Sequence, residues 1–500
     1  MQTSTFMLLL LMVGALLATS CGGGDEQAAA PELVITSMPA ATAGPAVRLE
    51  PTAPTPSPTP AQSPALPATP TASPTATPAL PSTPAATPVA RSDTRTKGVD
   101  QIAFVGLERQ IYTVDPDGSH PRRISPETGD FSWPTWSPDA SKLVFSGVVE
   151  DKGGGLRISL FAFIAASTTL REVYVGEPGV VGLLAAGVVH YPLWSPDSTR
   201  VAFIAVASGG LSLFLGDPKD INDATFILDQ GPLWMSWSPD SQYLLVHRGA
   251  EHFLVNTLGK IQVNELDIRA VGYRVPAWKP SGAIVTLASA LGPGRYAILT
   301  AEVVADGLDA PRPITSLHEI GFPLNPAFLW SPSGDFLALA GSTRVISYLG
   351  LHLFVYRDLA LFSESQTAPP ILIQDNVMAY FWSPDGSKLA YVAPSEEAGA
   401  LRWTVFNVAN GERWPLVDFI PSLDQLTMFQ FFDQYAYSHS LWSPDSRSLV
   451  FAGTLVDGAD LVSVGSDVGH QGSHIIVVGT DPDPLTQTIA EGTLGIWSPQ

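Results

Sequence analysis

The chain is predicted to be all-β and to close into an eight-bladed propeller, on three observations. A Trp-Ser-Pro-Asp phrase, first complete at residues 136–139, returns every 41 to 60 residues, its tryptophans being Trp136, Trp194, Trp237, Trp278, Trp330, Trp382, Trp442 and Trp497. Three short β-type runs follow each phrase but the last. The two ends of the array lack complementary pieces. A repeat of this period denotes stacked supersecondary units, none of which buries its apolar face alone.

Each run has a local cause. In the unit of Trp136 the first strand ends at the tryptophan, and Ser137-Pro138-Asp139 makes a tight turn. Proline presets the first central torsion of a type I turn, and the aspartate bonds nearby backbone amides. The second, third and fourth strands are expected at 142–147, 159–166 and 171–175, apolar runs bounded by Gly, Pro and Asp. The order recurs in later units. The unit of Trp330 reads as strands at 336–341, 353–357 and 371–375, and that of Trp442 as strands at 448–453, 475–479 and 486–489.

Near the start, 101–106 (QIAFVG), 110–115 (QIYTVD) and 121–125 read as second, third and fourth strands with no phrase before them. Residues 495–499 read as a first strand with nothing after it. Pairing the end near Trp497 with the blade at 101–126 completes the eighth sheet, removes exposed edges and ties the termini together.

The phrase W-S-P-D-(G/S)-x-x-(L/V)-(A/V)-(F/Y), clearest at Trp136, Trp194, Trp382 and Trp442, resembles that of TolB-like propellers, also called WD-like β-propeller repeats. The resemblance covers roughly 98–500. It departs at Trp278, followed by Lys279-Pro280-Ser281-Gly282, and at Trp330, where Ser333 replaces the aspartate. The periplasmic TolB protein has six blades and an additional N-terminal domain, unlike this chain. Eight-bladed rings also occur as accessory propellers of dipeptidyl-peptidase-like serine hydrolases.

Three segments are expected: a signal peptide over 1–20, a tether over 21–97 and the propeller over 98–500. Residues 6–18 form an apolar run too short for a comfortable membrane span and suited to a signal-peptide core. It runs into Ala18-Thr19-Ser20-Cys21-Gly22, which resembles a bacterial lipobox and implies a diacylated Cys21 as the mature N-terminus. Ala18 stands where leucine is usual, and residues 1–20 hold no Lys or Arg. Cys21 is the one cysteine, so no intramolecular disulfide is available. Residues 28–97 are dominated by Pro, Thr, Ala and Ser and lack aromatics, a composition that cannot bury a core. In a polyproline-like state this tether reaches on the order of 200 Å.

Net charge is −21. Residues 1–97 carry four basic and five acidic groups, which leaves 22 basic and 42 acidic groups in 98–500. Such a domain lacks the basic footprint of a nucleic-acid binder. No G-x-S-x-G elbow is present. His470 and His474 flank loop residues, and Asp115-Pro116-Asp117-Gly118 and Asp481-Pro482-Asp483-Pro484 read as hairpin turns without the spaced oxygens of a calcium loop. No metal, cofactor or catalytic residue is therefore expected. The repeated aspartates Asp139, Asp197, Asp240, Asp385 and Asp445 read as turn caps.

One constellation points to recognition. The loops feeding the innermost strands line one mouth of a propeller's channel. Three residues before the repeat tryptophans stand Trp133, Tyr191, Trp234 and His439, and the loop before Trp442 holds Phe431 and Tyr437 among further aromatics. Aromatics anchor interfaces. The expected function is a monomeric, lipid-anchored extracytoplasmic propeller in a bacterial envelope, binding a protein or envelope polymer without catalysis. The alternatives are a hydrolase- or lyase-like enzyme or accessory subunit, and a small-ligand sensor with its site at that mouth.

Overall fold

The computed structural model describes residues 100–499 apart from 178, 181, 186–187, 221–223, 305–306, 310, 319–322, 365–369, 375, 397–398 and 457–471. Residues 1–99 lie outside the described residues, and with them Cys21, the signal segment and the tether. No helix among the described residues is long and apolar enough to cross a membrane.

The strands group into eight antiparallel blades around one axis, each numbered from its innermost strand. Blade 1 combines both ends of the array: Leu494–Trp497, then Ile102–Val105, Ile111–Val114 and Arg122–Arg123. Its closing register is Ile102↔Trp497 through Val105↔Leu494. Ser498 donates its amide to the Gln101 carbonyl, and its hydroxyl accepts from the Gln101 amide at 2.9 Å. The closure is where the two incomplete ends predicted it. Blades 2 to 5 begin with Asp130–Trp136, Tyr191–Trp194, Leu233–Trp237 and Ala277–Trp278. Blades 6 and 7 begin with Leu324–Trp330 and Ala379–Trp382.

The repeated phrase joins neighbouring blades in two ways. Each aspartate accepts its own serine hydroxyl, as Ser195 to Asp197 at 2.5 Å, and the amide two residues on, as Thr199 to Asp197 at 3.0 Å. Partial burial works against the charge of Asp139, Asp197 and Asp385, but these bonds outweigh it and hold the carboxyls below their usual range. The residue after the aspartate is left-handed, with φ 61° at Ser198 and 69° at Gly386. Serine tolerates that conformation here because its hydroxyl works across the seam. Ser198 accepts the Asp139 amide at 3.0 Å, Ser241 that of Asp197 at 2.9 Å, and Ser446 that of Asp385 at 3.1 Å.

The second link is a relay of indoles. Trp194, Trp237, Trp278, Trp382 and Trp442 donate Nε1–H to a carbonyl one residue before the preceding blade's tryptophan, at 3.0 to 3.2 Å. The relay changes at three places: Trp330 donates to the Thr286 hydroxyl at 2.9 Å, Trp497 bonds Asp100 Oδ1 at 3.1 Å, and among the described residues the buried Trp136 indole has no hydrogen-bond partner.

Two expectations need correction. In blade 6 the third strand is Leu359–Ser363, not 353–357. The second strand, Phe336–Tyr348, overruns the blade, and its far half pairs with Leu351–Arg357 as a separate hairpin. Asp358, left-handed at φ 58°, turns the chain from that hairpin back into the blade. In blade 8 the innermost strand is reduced to a bridge between Trp442 and Leu449, inside Ser448–Leu455, His474–Gly479 and Thr486–Glu491. The preceding residues have left the sheet for the axis of the ring.

Candidate functional site

The connection between Arg413–Pro421 of blade 7 and Trp442 folds into two short helices, α1 (Leu423–Gln430) and α2 (Phe432–Tyr435). Ser422 caps α1 by accepting the Gln425 amide at 3.0 Å, and Asp424 places its charge in the first turn. Met428, Phe429, Phe432 and Tyr435 are buried.

Contacts from this segment run round the whole ring, which places it on the central axis as a plug. Asp424 Oδ2 accepts from Arg109 at 2.7 Å and from the Thr493 hydroxyl at 2.6 Å, beside blade 1. Tyr435 stacks on Trp133 of blade 2 at 4.7 Å and 13°. Tyr191 of blade 3 donates its hydroxyl to the Gln434 carbonyl at 2.7 Å. Phe431 faces Trp234 of blade 4 at 6.1 Å. Arg274, leading into blade 5, grips both oxygens of Asp433, Nε at 3.0 Å and Nη2 at 2.7 Å. The Gln430 amide pairs both ways with the Phe354 backbone in the blade 6 hairpin, at 2.9 and 3.2 Å. Phe432 meets Tyr380 of blade 7 at 4.4 Å, and Gln425 accepts the Ala452 amide of blade 8 at 3.0 Å.

Arg274 is the electrostatic centre of this arrangement. Its guanidinium lies 5.3, 5.8 and 5.9 Å from the ring centres of Phe431, Trp234 and Tyr356, an aromatic box around an internal cation. Burial works against its charge, but the Asp433 carboxylate outweighs burial and raises its pKa. Burial pushes the imidazole of His439 down to about 3. That ring meets Trp133 and Tyr435 edge-on at 5.8 and 5.0 Å, and its Nδ1 lies 2.7 Å from the Ser438 hydroxyl.

The six aromatic and histidine positions singled out in the sequence do converge, but around a segment of the chain itself. Trp133, Tyr191 and His439 are buried, Trp234 and Phe431 are half-buried, and Tyr437 is 36 % exposed. Trp133 holds φ 54° at a bulge between Ser132 and Thr135, a strained conformation that its stack with Tyr435 over-determines. The plug itself escaped the sequence reading. Its one local signal was Ser422-x-x-Gln425, the spacing of a capping box. Arg109, Arg274, Asp424 and Asp433, which seat the plug, were missed because partners more than 150 residues apart carry no sequence spacing.

The first strands run from the plug face to the turn-bearing face. At that second face a cavity of about 560 Å³ opens among Pro384, Asp385, Trp442, Asp445, Ser498 and Pro499. Among the described residues no three His, Cys, Asp or Glu side chains cluster as metal ligands; His470 lies outside them.

No family model matches the chain, and no curated protein matches it. Solved structures do. TolB from Acinetobacter baumannii is 15 % identical over 64 % of this chain and 63 % of its own length, with TM-score 0.34. A eukaryotic initiation factor is 12 % identical over 81 % and 99 %, with TM-score 0.48. Oligogalacturonate lyase from Vibrio parahaemolyticus is 11 % identical over 73 % and 86 %, with TM-score 0.40. At these identities and scores no activity or partner passes from any of them to this chain.

Proposed function

We propose that the protein is a non-catalytic recognition scaffold that binds a protein or envelope polymer on its plugged face. The supporting observation is that the chain's own residues 422–439 occupy the channel where propellers commonly place small ligands. What this face offers outward near the plug is part of Tyr437, whose hydroxyl end is buried near Asp433, together with the half-buried Trp234 and Phe431. Aromatic anchors of this kind serve an extended macromolecular surface better than a deep small-molecule pocket. The ring's net charge of −20 adds electrostatic selection against anionic partners. In this reading a lipid on Cys21 and the Pro/Thr-rich tether hold a monomeric ring on the extracytoplasmic side of a bacterial membrane. Residue 100 joins the ring at the turn-bearing face, opposite the plug.

The test is capture from solubilised native envelope on immobilised residues 98–500, beside the Tyr437→Ala and Phe431→Ser variants. The reading expects one or a few captured species to be lost from both variants at unchanged fold. Equal capture by the wild type and both variants would remove the plugged face from consideration. Incorporation of labelled palmitate that disappears in Cys21→Ser checks the anchor separately.

A further inference from the structure

We propose that the plug is a pH-controlled gate whose sensor is His439, seated at neutral pH and loosened in mild acid while the blades stay folded. His439 stands where the plug rejoins the ring, three residues before Trp442. Its surroundings are buried and offer an imidazolium no counter-charge. From the plug it faces Tyr435 edge-on and the Ser438 hydroxyl, and from blade 2 it faces Trp133 and, at 3.4 Å, the Thr135 hydroxyl. Hydroxyls donate or accept as a neutral ring requires. Tyr435 is the one titratable group among them, and burial keeps it protonated. No carboxylate contacts the ring among the described residues; of the two in the plug, Asp424 pairs with Arg109 and Asp433 with Arg274, burial raising the pKa of Asp433 in spite of that partner. A proton on His439 would therefore bury an unpaired cation, a cost that withdrawing the segment relieves.

The sign follows from linkage. Seated, His439 stays neutral down to about 3; released into water, it titrates near 6.5. Acid thus favours the released form below about pH 6.5, roughly tenfold per unit, which is about thirtyfold at pH 5. The other histidines held neutral by burial, His190, His247 and His252, sit in or between blades 2 to 5. Among the described residues His190 and His252 have no contact with the plug, whereas His247 Nδ1 lies 2.8 Å from the carbonyl of Arg274, which seats the plug, so the His439 variants below, which leave His247 in place, separate the two contributions. Release would uncover Trp133, Tyr191 and Arg274, an aromatic and cationic lining hidden at neutral pH. The proposal holds whichever partner the protein binds.

Hydrogen exchange of the full chain, read by mass spectrometry at pH 7.5, 6.0 and 5.0 and corrected for intrinsic rates, tests it. Peptides from 422–439 should lose about thirtyfold in protection by pH 5, while peptides from Lys388–Pro394 keep theirs beyond any loss shared with the plug. His439→Gln and His439→Phe, which carry no titrating ring, should lack this step. Plug and blades losing protection in parallel in the wild type would overturn the gate, without recourse to any variant. So would an undiminished step in a variant that is protected at pH 7.5.

Discussion

Ring closure gives the sharpest test of the fold. Trp497 is almost wholly buried, donates its indole N–H to Asp100, and closes blade 1 beside Leu494 and Ile496, which are fully buried. Trp497→Ala removes a large core side chain and leaves a cavity, for about 3–5 kcal/mol. Deleting 494–500 also removes Leu494 and Ile496, each worth about 2–5 kcal/mol by the same accounting. It further strips the ladder from Ile102–Val105 and leaves an open edge. The total, about 7–15 kcal/mol, is of the same size as the 5–15 kcal/mol net stability typical of a domain. Urea unfolding followed by tryptophan fluorescence and circular dichroism should show a folded but destabilised point variant and no cooperative transition for the truncation. Leu485→Ala is the control: that side chain is 87 % exposed, and the change should stay within about 0.5 kcal/mol. A truncated chain unfolding at the wild-type midpoint would refute closure by the C-terminal strand.

Two further outcomes follow from the plug and the buried histidines. Arg274→Met leaves Asp433 buried and unpaired and should cost about 3–5 kcal/mol, whereas Arg274→Met with Asp433→Leu should recover most of that loss; a double-mutant cycle in urea measures it, and additive losses would show that the pair does not couple. Burial depresses His190 to about 3 and His252 to about 4, so both stay neutral in the fold while the unfolded chain takes up protons below about 6.5. Stability is then complete above that pH and falls as pH drops, by about 2 kcal/mol per histidine at pH 5; a flat unfolding free energy between pH 7.5 and 5 would contradict their burial as neutral groups.

The blades were legible in the sequence because their information is local. Trp, Ser, Pro and Asp must stand together to make the turn, and the residue after them, serine at 198, 241 and 446, glycine at 386 and alanine at 140, takes a left-handed backbone at the same place. The closing strand was legible by subtraction, since one end lacked what the other had spare. The blade 6 misreading has an equally local cause. Residues 351–357 and 359–363 are both apolar runs of strand length, and only pairing with Phe336–Leu339 picks out the second as the blade's own.

The plug was not legible, for the converse reason. Its helices span eight and four residues, too short for an amphipathic stripe, and they bury side chains on every side because a different blade faces each one. An excess of Phe and Tyr was visible, but the same composition suits an open recognition loop. By itself, then, the sequence determined the blade, the number of blades and the place where the circle joins. Only the tertiary structure decided that the channel is filled from within, because Arg109, Trp133, Tyr191, Arg274 and Tyr380 meet the segment 422–439 solely once the ring has brought them to a common axis.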